Sequence, residues 1–188
     1  MKRFKFLFSA IALAALTACS APVTLDGPPA DMGDFLLRHN IVVADNAQMH
    51  PISRPATADE WEAVLASEID ARLGGYSGDR MLHLGTAVVG YALAPPGIPL
   101  VASPKSVLVI HVNVWDNATQ EKLTEEPREF IVWEGYIEGA FLLGSGLTQS
   151  REEQMLRLSR NAAFKIQEWL LEHPEWLYLD YTPPEEEQ

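Results

Sequence analysis

The sequence predicts an α+β domain. It is a two-layer sandwich with a mainly antiparallel sheet of about four strands, in the order β-α-β-β-β-α, and both helices on one face. Three observations carry this. Thr57–Glu60 and Ser150–Glu153 both have the spacing of a capping box and open runs of apolar residues at helical spacing. Between them, Ser106–Trp115 alternates with the period of a strand. Helices that flank a block of strands in sequence pack together on one side of the sheet those strands form.

The elements follow in order. Phe35–Ala44 holds the β-branched run Ile41-Val42-Val43 and reads as a first strand. After a polar connection, Thr57 caps a helix whose Trp61, Leu65, Ile69 and Leu73 recur every four residues, with Gly74-Gly75 as its stop. Met81–Leu93 is rich in strand formers, and Gly85 and Gly90 mark bulges or close packing. In Ser106–Trp115, Leu108, Ile110, Val112 and Val114 fall on one face. Val107, Val109, His111, Asn113 and Trp115 fall on the other. Asp116-Asn117-Ala118-Thr119 has turn chemistry, so the next strand, Arg128–Ile137, pairs back antiparallel, with Phe130 and Val132 opposite in facing to Ile131 and Trp133. A glycine-rich connection, Gly139–Leu147, leads to a long amphipathic helix marked by Met155, Leu158, Ala162, Ile166, Trp169 and Leu170 and stopped by His173-Pro174.

The first residues carry a different signal. Lys2, Arg3 and Lys5 precede an apolar run, Phe6–Leu16, that would span roughly 17 Å as a helix, against a hydrocarbon core about 30 Å thick. This is the length of a signal peptide rather than of a membrane span. The run ends in Leu16-Thr17-Ala18-Cys19, and Cys19 is the only cysteine in the 188 residues. These residues resemble the lipobox of bacterial lipoprotein precursors. The resemblance implies cleavage between Ala18 and Cys19 and lipidation of Cys19 with palmitate-type chains as an anchor. An ordinary secretory signal cut near Ala18 or Ala21 is the alternative. Ser20 follows the cysteine where an Asp marks inner-membrane retention, which implies an outer-membrane protein facing the periplasm. The expected organisation is a signal peptide over 1–18, a flexible tether over 19–34, one domain over 35–180 and an acidic disordered tail over 181–188. The order of elements also loosely resembles small envelope lipoproteins, such as auxiliary lipoproteins of ABC-type transport and lipopolysaccharide-assembly lipoproteins. No residue role transfers from an order of elements.

Charge narrows the function. The whole chain has 26 acidic and 14 basic residues, a net charge of −12. Residues 1–18 hold three of the basic residues and none of the acidic ones, so the mature chain stands at −15. Such a surface repels nucleic acid. A lone cysteine excludes an internal disulfide. No histidine pair has H-x-x-x-H spacing, and no second cysteine completes a zinc site, so no metal or cofactor is expected. There is no G-x-S-x-G nucleophile elbow, and Cys19 is not a nucleophile once it is a thioether. The expectation is a non-enzymatic structural or interaction role, accessory to envelope assembly or transport, with a protein partner in the envelope. The alternative is a small-ligand-binding module. Candidate residues for the alternative are His111, which shares a strand face with Asn113 and Trp115, and Gly144 and Gly146, whose amides precede a helix and could cradle an anion. The simpler reading of His111 is a solvated sheet face, and that of Gly144-Ser145-Gly146 a flexible turn. The candidate partner loop is the uncharged stretch Ala92–Ser103, with Pro96, Ile98 and Leu100. A connection folded over the core is its simpler reading. Glu134, on an otherwise apolar strand, is expected to face solvent.

Overall fold

The computed structural model describes residues 29–95, 105–134 and 150–183. The elements are β1 (Phe35–Val43), β2 (Gln48–Met49), α1 (Ala58–Leu73), β3 (Arg80–Ala92), β4 (Val107–Asp116), β5 (Arg128–Trp133), α2 (Arg151–Leu171) and α3 (Pro174–Leu177). The sheet runs β1-β3-β4-β5, with the two-residue β2 also on β3. Both long helices lie on one side, so the α+β sandwich expected from the sequence is the fold.

The strand pattern explains the layering. On β4, Leu108, Ile110, Val112 and Val114 are fully buried. On β3, Leu82, Leu84, Thr86 and Val88 point the same way, and a bulge between Val88 and Gly90 resets the alternation so that Tyr91 and Leu93 also turn inward. Against them α1 lays Trp61, Leu65, Ile69 and Leu73, and α2 lays Met155, Leu158, Ala162, Ile166 and Leu170. Each fully buried Leu or Ile of this core contributes about 1.5–3 kcal/mol relative to an exposed position.

Strand direction is mixed. β3-β4-β5 is an antiparallel meander, but β1 pairs with β3 in parallel, Ile41 beside Gly85 and Val43 beside Ala87. Parallel neighbours need a crossover, and α1 is that crossover. The upper rim of the sheet is where Ala92 meets Val107 and Val107 meets Trp133. The lower rim is where Leu82 meets Asp116.

Both helices open with the expected capping boxes. The Thr57 and Ser150 hydroxyls accept from the Glu60 and Glu153 amides, and the two glutamates accept from the cap amides in return. Arg151 then ties one helix start to the other. Its guanidinium donates to both carboxylate oxygens of Glu60 and to the Pro55 carbonyl. The Arg151 bonds, with the Thr57 amide, hold the Glu60 carboxyl at about 2, below its ordinary 4.5. A carboxylate whose folded value is depressed adds stability that is complete above its unfolded value and is lost as pH falls through the folded one. A Glu60→Gln chain should therefore unfold more easily than the wild type at neutral pH, and the gap should close between about pH 4.5 and 2. Urea melts across that range would show a constant gap if the pairing added nothing.

Polar residues on α2 are buried where they serve the fold. Asn161 donates to the Trp133 and Glu134 carbonyls at 3.0 and 3.1 Å, and Gln154 to the Ala94 carbonyl at 3.3 Å. Gln167 accepts from Arg72 at 2.6 Å and donates to the Tyr76 hydroxyl at 2.8 Å, which itself donates to the Ala30 carbonyl at 2.9 Å. Burial raises the Tyr76 phenol above its ordinary pKa.

Residues 29–34, assigned from the sequence to the end of the tether, are packed. Met32 is buried, the Asp34 amide donates to the Leu177 carbonyl at 3.0 Å, and the Asp34 carboxylate accepts from the Leu179 amide at 3.0 Å. Gly33 sits at φ +59°, and a Cβ there would lie 2.4 Å from the Tyr178 ring. The first and last described segments thus clasp each other along the lower rim.

Candidate functional site

The second face of the sheet has no layer over it among the described residues. It is built in rows that follow from the strand registers. His39, His83 and Trp115 form the lowest row, then Ile41, Gly85 and Asn113, then Val43, Ala87, His111 and Glu129. Val109 with Ile131 and Val107 with Trp133 complete it at the upper rim. Ile41 is 60% exposed, Val43 and Ile131 47% and Trp133 46%. Such exposure is unusual for side chains of this size on regular strands, because each leaves apolar area in water.

The face has two halves of different chemistry. The lower half is polar and held by local bonds. The His39 and His83 rings stack with centroids 4.9 Å apart and an 11° tilt, and His83 Nε2 lies 3.0 Å from Asn117 Oδ1. The Asn113 side-chain oxygen accepts from the Thr124 hydroxyl at 3.1 Å. His111 Nε2 lies 3.1 Å from Glu129 Oε2 across the β4–β5 pair. Gly85 is the small residue this half requires, since a Cβ there would come within 2.7 Å of the Trp115 ring. The absent side chain lets the indole lie across β3. In the upper half Val43, Val107, Val109, Ile131 and Trp133 are apolar, and the His111–Glu129 pair marks its lower boundary.

His111 is therefore placed with Asn113 and Trp115 on one face, as the alternation predicts, beside Glu129 and with no layer over it among the described residues. Gly144, Gly146, Pro96, Ile98, Leu100, Ala18 and Cys19 lie outside the described residues. Pro95, Lys105 and Glu134 stand toward the upper rim, and Ser150 caps α2 on the helical side of the sheet. Glu134 departs from expectation: it is buried, at 8% exposure, and its carboxylate oxygens have no hydrogen-bond partner among the described residues. Glu134 continues the inward alternation of Phe130 and Val132 one residue past the strand, so it turns to the helical side, and its amide donates to the Ser106 carbonyl. His173, predicted only as a helix stop, stands before α3 and stacks on Trp176 with ring centroids 3.9 Å apart. Among the described residues no three histidine, cysteine or acidic side chains converge as metal ligands, and no helix is long and apolar enough to cross a membrane.

No protein-family model and no curated protein matches the chain. Among solved structures it is similar to a Xanthomonas campestris protein of family DUF330, at 15% identity over 74% of this chain and 86% of that one, with a TM-score of 0.43. It is also similar to PelC from Paraburkholderia phytofirmans, crystallised as a dodecamer (12% identity, 71% and 89% covered, TM-score 0.34). A minor lipoprotein from Acinetobacter baumannii is a third (14% identity, 69% and 92% covered, TM-score 0.30).

Proposed function

We propose that the protein is a lipid-anchored, non-enzymatic component of the cell envelope, held at the outer membrane and facing the periplasm, whose open sheet face binds a protein partner. The observation that carries the interaction role is the apolar upper half of that face. The lipobox resemblance of Leu16–Cys19 supports the anchor.

Size and chemistry favour a protein as the occupant. Four strands at about 4.8 Å spacing and ten residues at about 3.4 Å rise give a face of roughly 600 Å². A standard interface takes about 800 Å² from each partner. A surface that entered a bilayer would carry lysines or arginines for the headgroups. The strand positions in these rows include no lysine or arginine, Lys122 standing beside Trp115 only at the lower edge, and the lower half presents His39, His83, His111 and Asn113. The matching partner has an apolar face, rich in aromatic or branched side chains, without acidic groups at its centre, because the rest of this chain is strongly negative.

The test uses the full lipidated chain in membranes with a photo-crosslinking side chain at Ile131, and a control at Ser67 on the exposed side of α1. One discrete adduct with another protein, absent from the control and lost with Val109→Asp, is the expected result. An adduct with lipid, an adduct of twice the chain mass, or the same products from both positions would overturn the partner reading.

A further inference from the structure

A second concave feature lies at the lower rim, on the helical side of the sheet. It is an open cleft of about 490 Å³ between the β4–β5 connection, the start of β5 and the ends of α2 and α3. That volume is within the ~300–1,000 Å³ usual for small-molecule sites. Its inner wall is aromatic. The Trp169 and Trp176 rings stand at 83° with centroids 5.4 Å apart, and His173 lies parallel to Trp176. Its outer wall is ionic: Glu125 and Glu126 come from the β4–β5 connection, and Arg128 places its guanidinium 5.7 Å from the Phe130 ring centre.

Each element restricts the ligand. Indole faces attract cations through the ring quadrupole, best when the cation is weakly hydrated, as an organic ammonium is. Two glutamates add to that attraction and repel a simple anion. A bare metal ion has no set of three converging ligands among the described residues. Arg128 lies over the Phe130 ring and has no carboxylate partner among the described residues, so its forked donors are suited to an oxyanion. A purely apolar ligand would use none of these charges.

We propose that this cleft binds a zwitterion in which an organic ammonium group is joined to a phosphate or carboxylate. The ammonium sits against the indoles of Trp169 and Trp176 near Glu125 and Glu126, and the oxyanion meets Arg128. Such a group occurs both as the headgroup of a zwitterionic phospholipid and as a free solute. The cleft stands on the same rim as the Asp34–Leu177 clasp, where the chain comes into the domain from its N-terminal side. The proposal does not rest on the partner reading of the open sheet face or on the anchor, and Glu129 is the residue that borders both cleft and face.

The test is an NMR titration of the mature chain in a non-ionic detergent, following the indole N–H signals of Trp169 and Trp176 with phosphocholine, choline and inorganic phosphate as probes. Saturable shifts with phosphocholine are expected, with affinity for either fragment lower by about fivefold or more. Arg128→Gln should reduce phosphocholine to the level of choline, and Glu126→Gln should weaken phosphocholine and choline together. Both side chains are exposed, so an unchanged thermal melt is expected for each. Flotation with phosphatidylcholine against phosphatidylglycerol vesicles separates the sources: selective flotation through this cleft, lost with Glu126→Gln, assigns the lipid headgroup, and its absence beside a saturating phosphocholine titration assigns the free solute. Flat titrations, or shifts equal in wild type and both variants, would overturn the site.

Discussion

A Cys19→Ser chain is expected to leave the membrane fraction almost completely and to take up no radiolabelled palmitate. Each buried methylene of an acyl chain holds a protein to a bilayer by about 0.8 kcal/mol, so two or three chains make an anchor that is effectively permanent, and removing the thiol removes all of them. The body that remains has no described helix able to span a membrane, and its net charge is strongly negative, so it has little to replace the anchor. Fractionation followed by acyl labelling reads both effects. A Cys19→Ser chain that still sediments with membranes after signal cleavage would place the attachment elsewhere and remove the basis for reading Leu16–Cys19 as a lipobox.

The second large effect is expected at Arg80. Its guanidinium reaches the Asp116 carboxylate at 2.9 Å and the Trp176 carbonyl at 3.2 Å, and the other Asp116 oxygen accepts from the Ala118 amide at 2.8 Å. Asp116 is almost wholly buried and Arg80 mostly so. Replacing one partner strands the other charge away from water, which costs about 3–5 kcal/mol. For a domain of this size each kcal/mol lowers the melting temperature by about 2–4 °C, so Arg80→Met should melt on the order of 10 °C lower. Adding Asp116→Leu should recover much of that loss, because the deficit lies in the unpaired carboxylate rather than in the missing contact. A double variant as unstable as the single one would show that packing, not charge, is what Arg80 supplies.

Much of the scaffold was legible in the sequence because its signals are local. A capping box is decided by four residues, and both Thr57–Glu60 and Ser150–Glu153 close as their spacing predicts. The inward set Leu108, Ile110, Val112 and Val114 follows from alternation alone. What was hidden depends on partners far away in sequence. Nothing in Phe35–Val43 says that it pairs in parallel with β3, since that choice is made by the α1 crossover. The bulge at Val88–Gly90 shifts the inward set of β3 by one residue without a marker beyond Gly90. On the open face, apolar residues stand on both sides of β4 and β5, so periodicity separates Ile131 and Trp133 from Phe130 and Val132 but does not say which side the helices cover. The burial of Glu134 is in step with Phe130 and Val132, and its charge, not the alternation, made the outward reading. The meeting of Trp169, His173 and Trp176 with Glu125 and Glu126 needs the chain end folded back, and short-range patterns carry no trace of that.

The clasp at the lower rim sets an order of events. The Asp34 carboxylate and the Leu179 amide are 145 positions apart in the chain, and the Leu177 carbonyl that meets the Asp34 amide is almost as distant. A polypeptide that crosses a membrane N-terminus first delivers residues 30–34 early and residues 174–179 last. On the proposed route across a membrane, the domain therefore closes only after nearly all of it has been delivered. Until then β1 and α1 wait with their apolar stripes open, a long interval of vulnerability for a protein whose most distant contacts are its last to form.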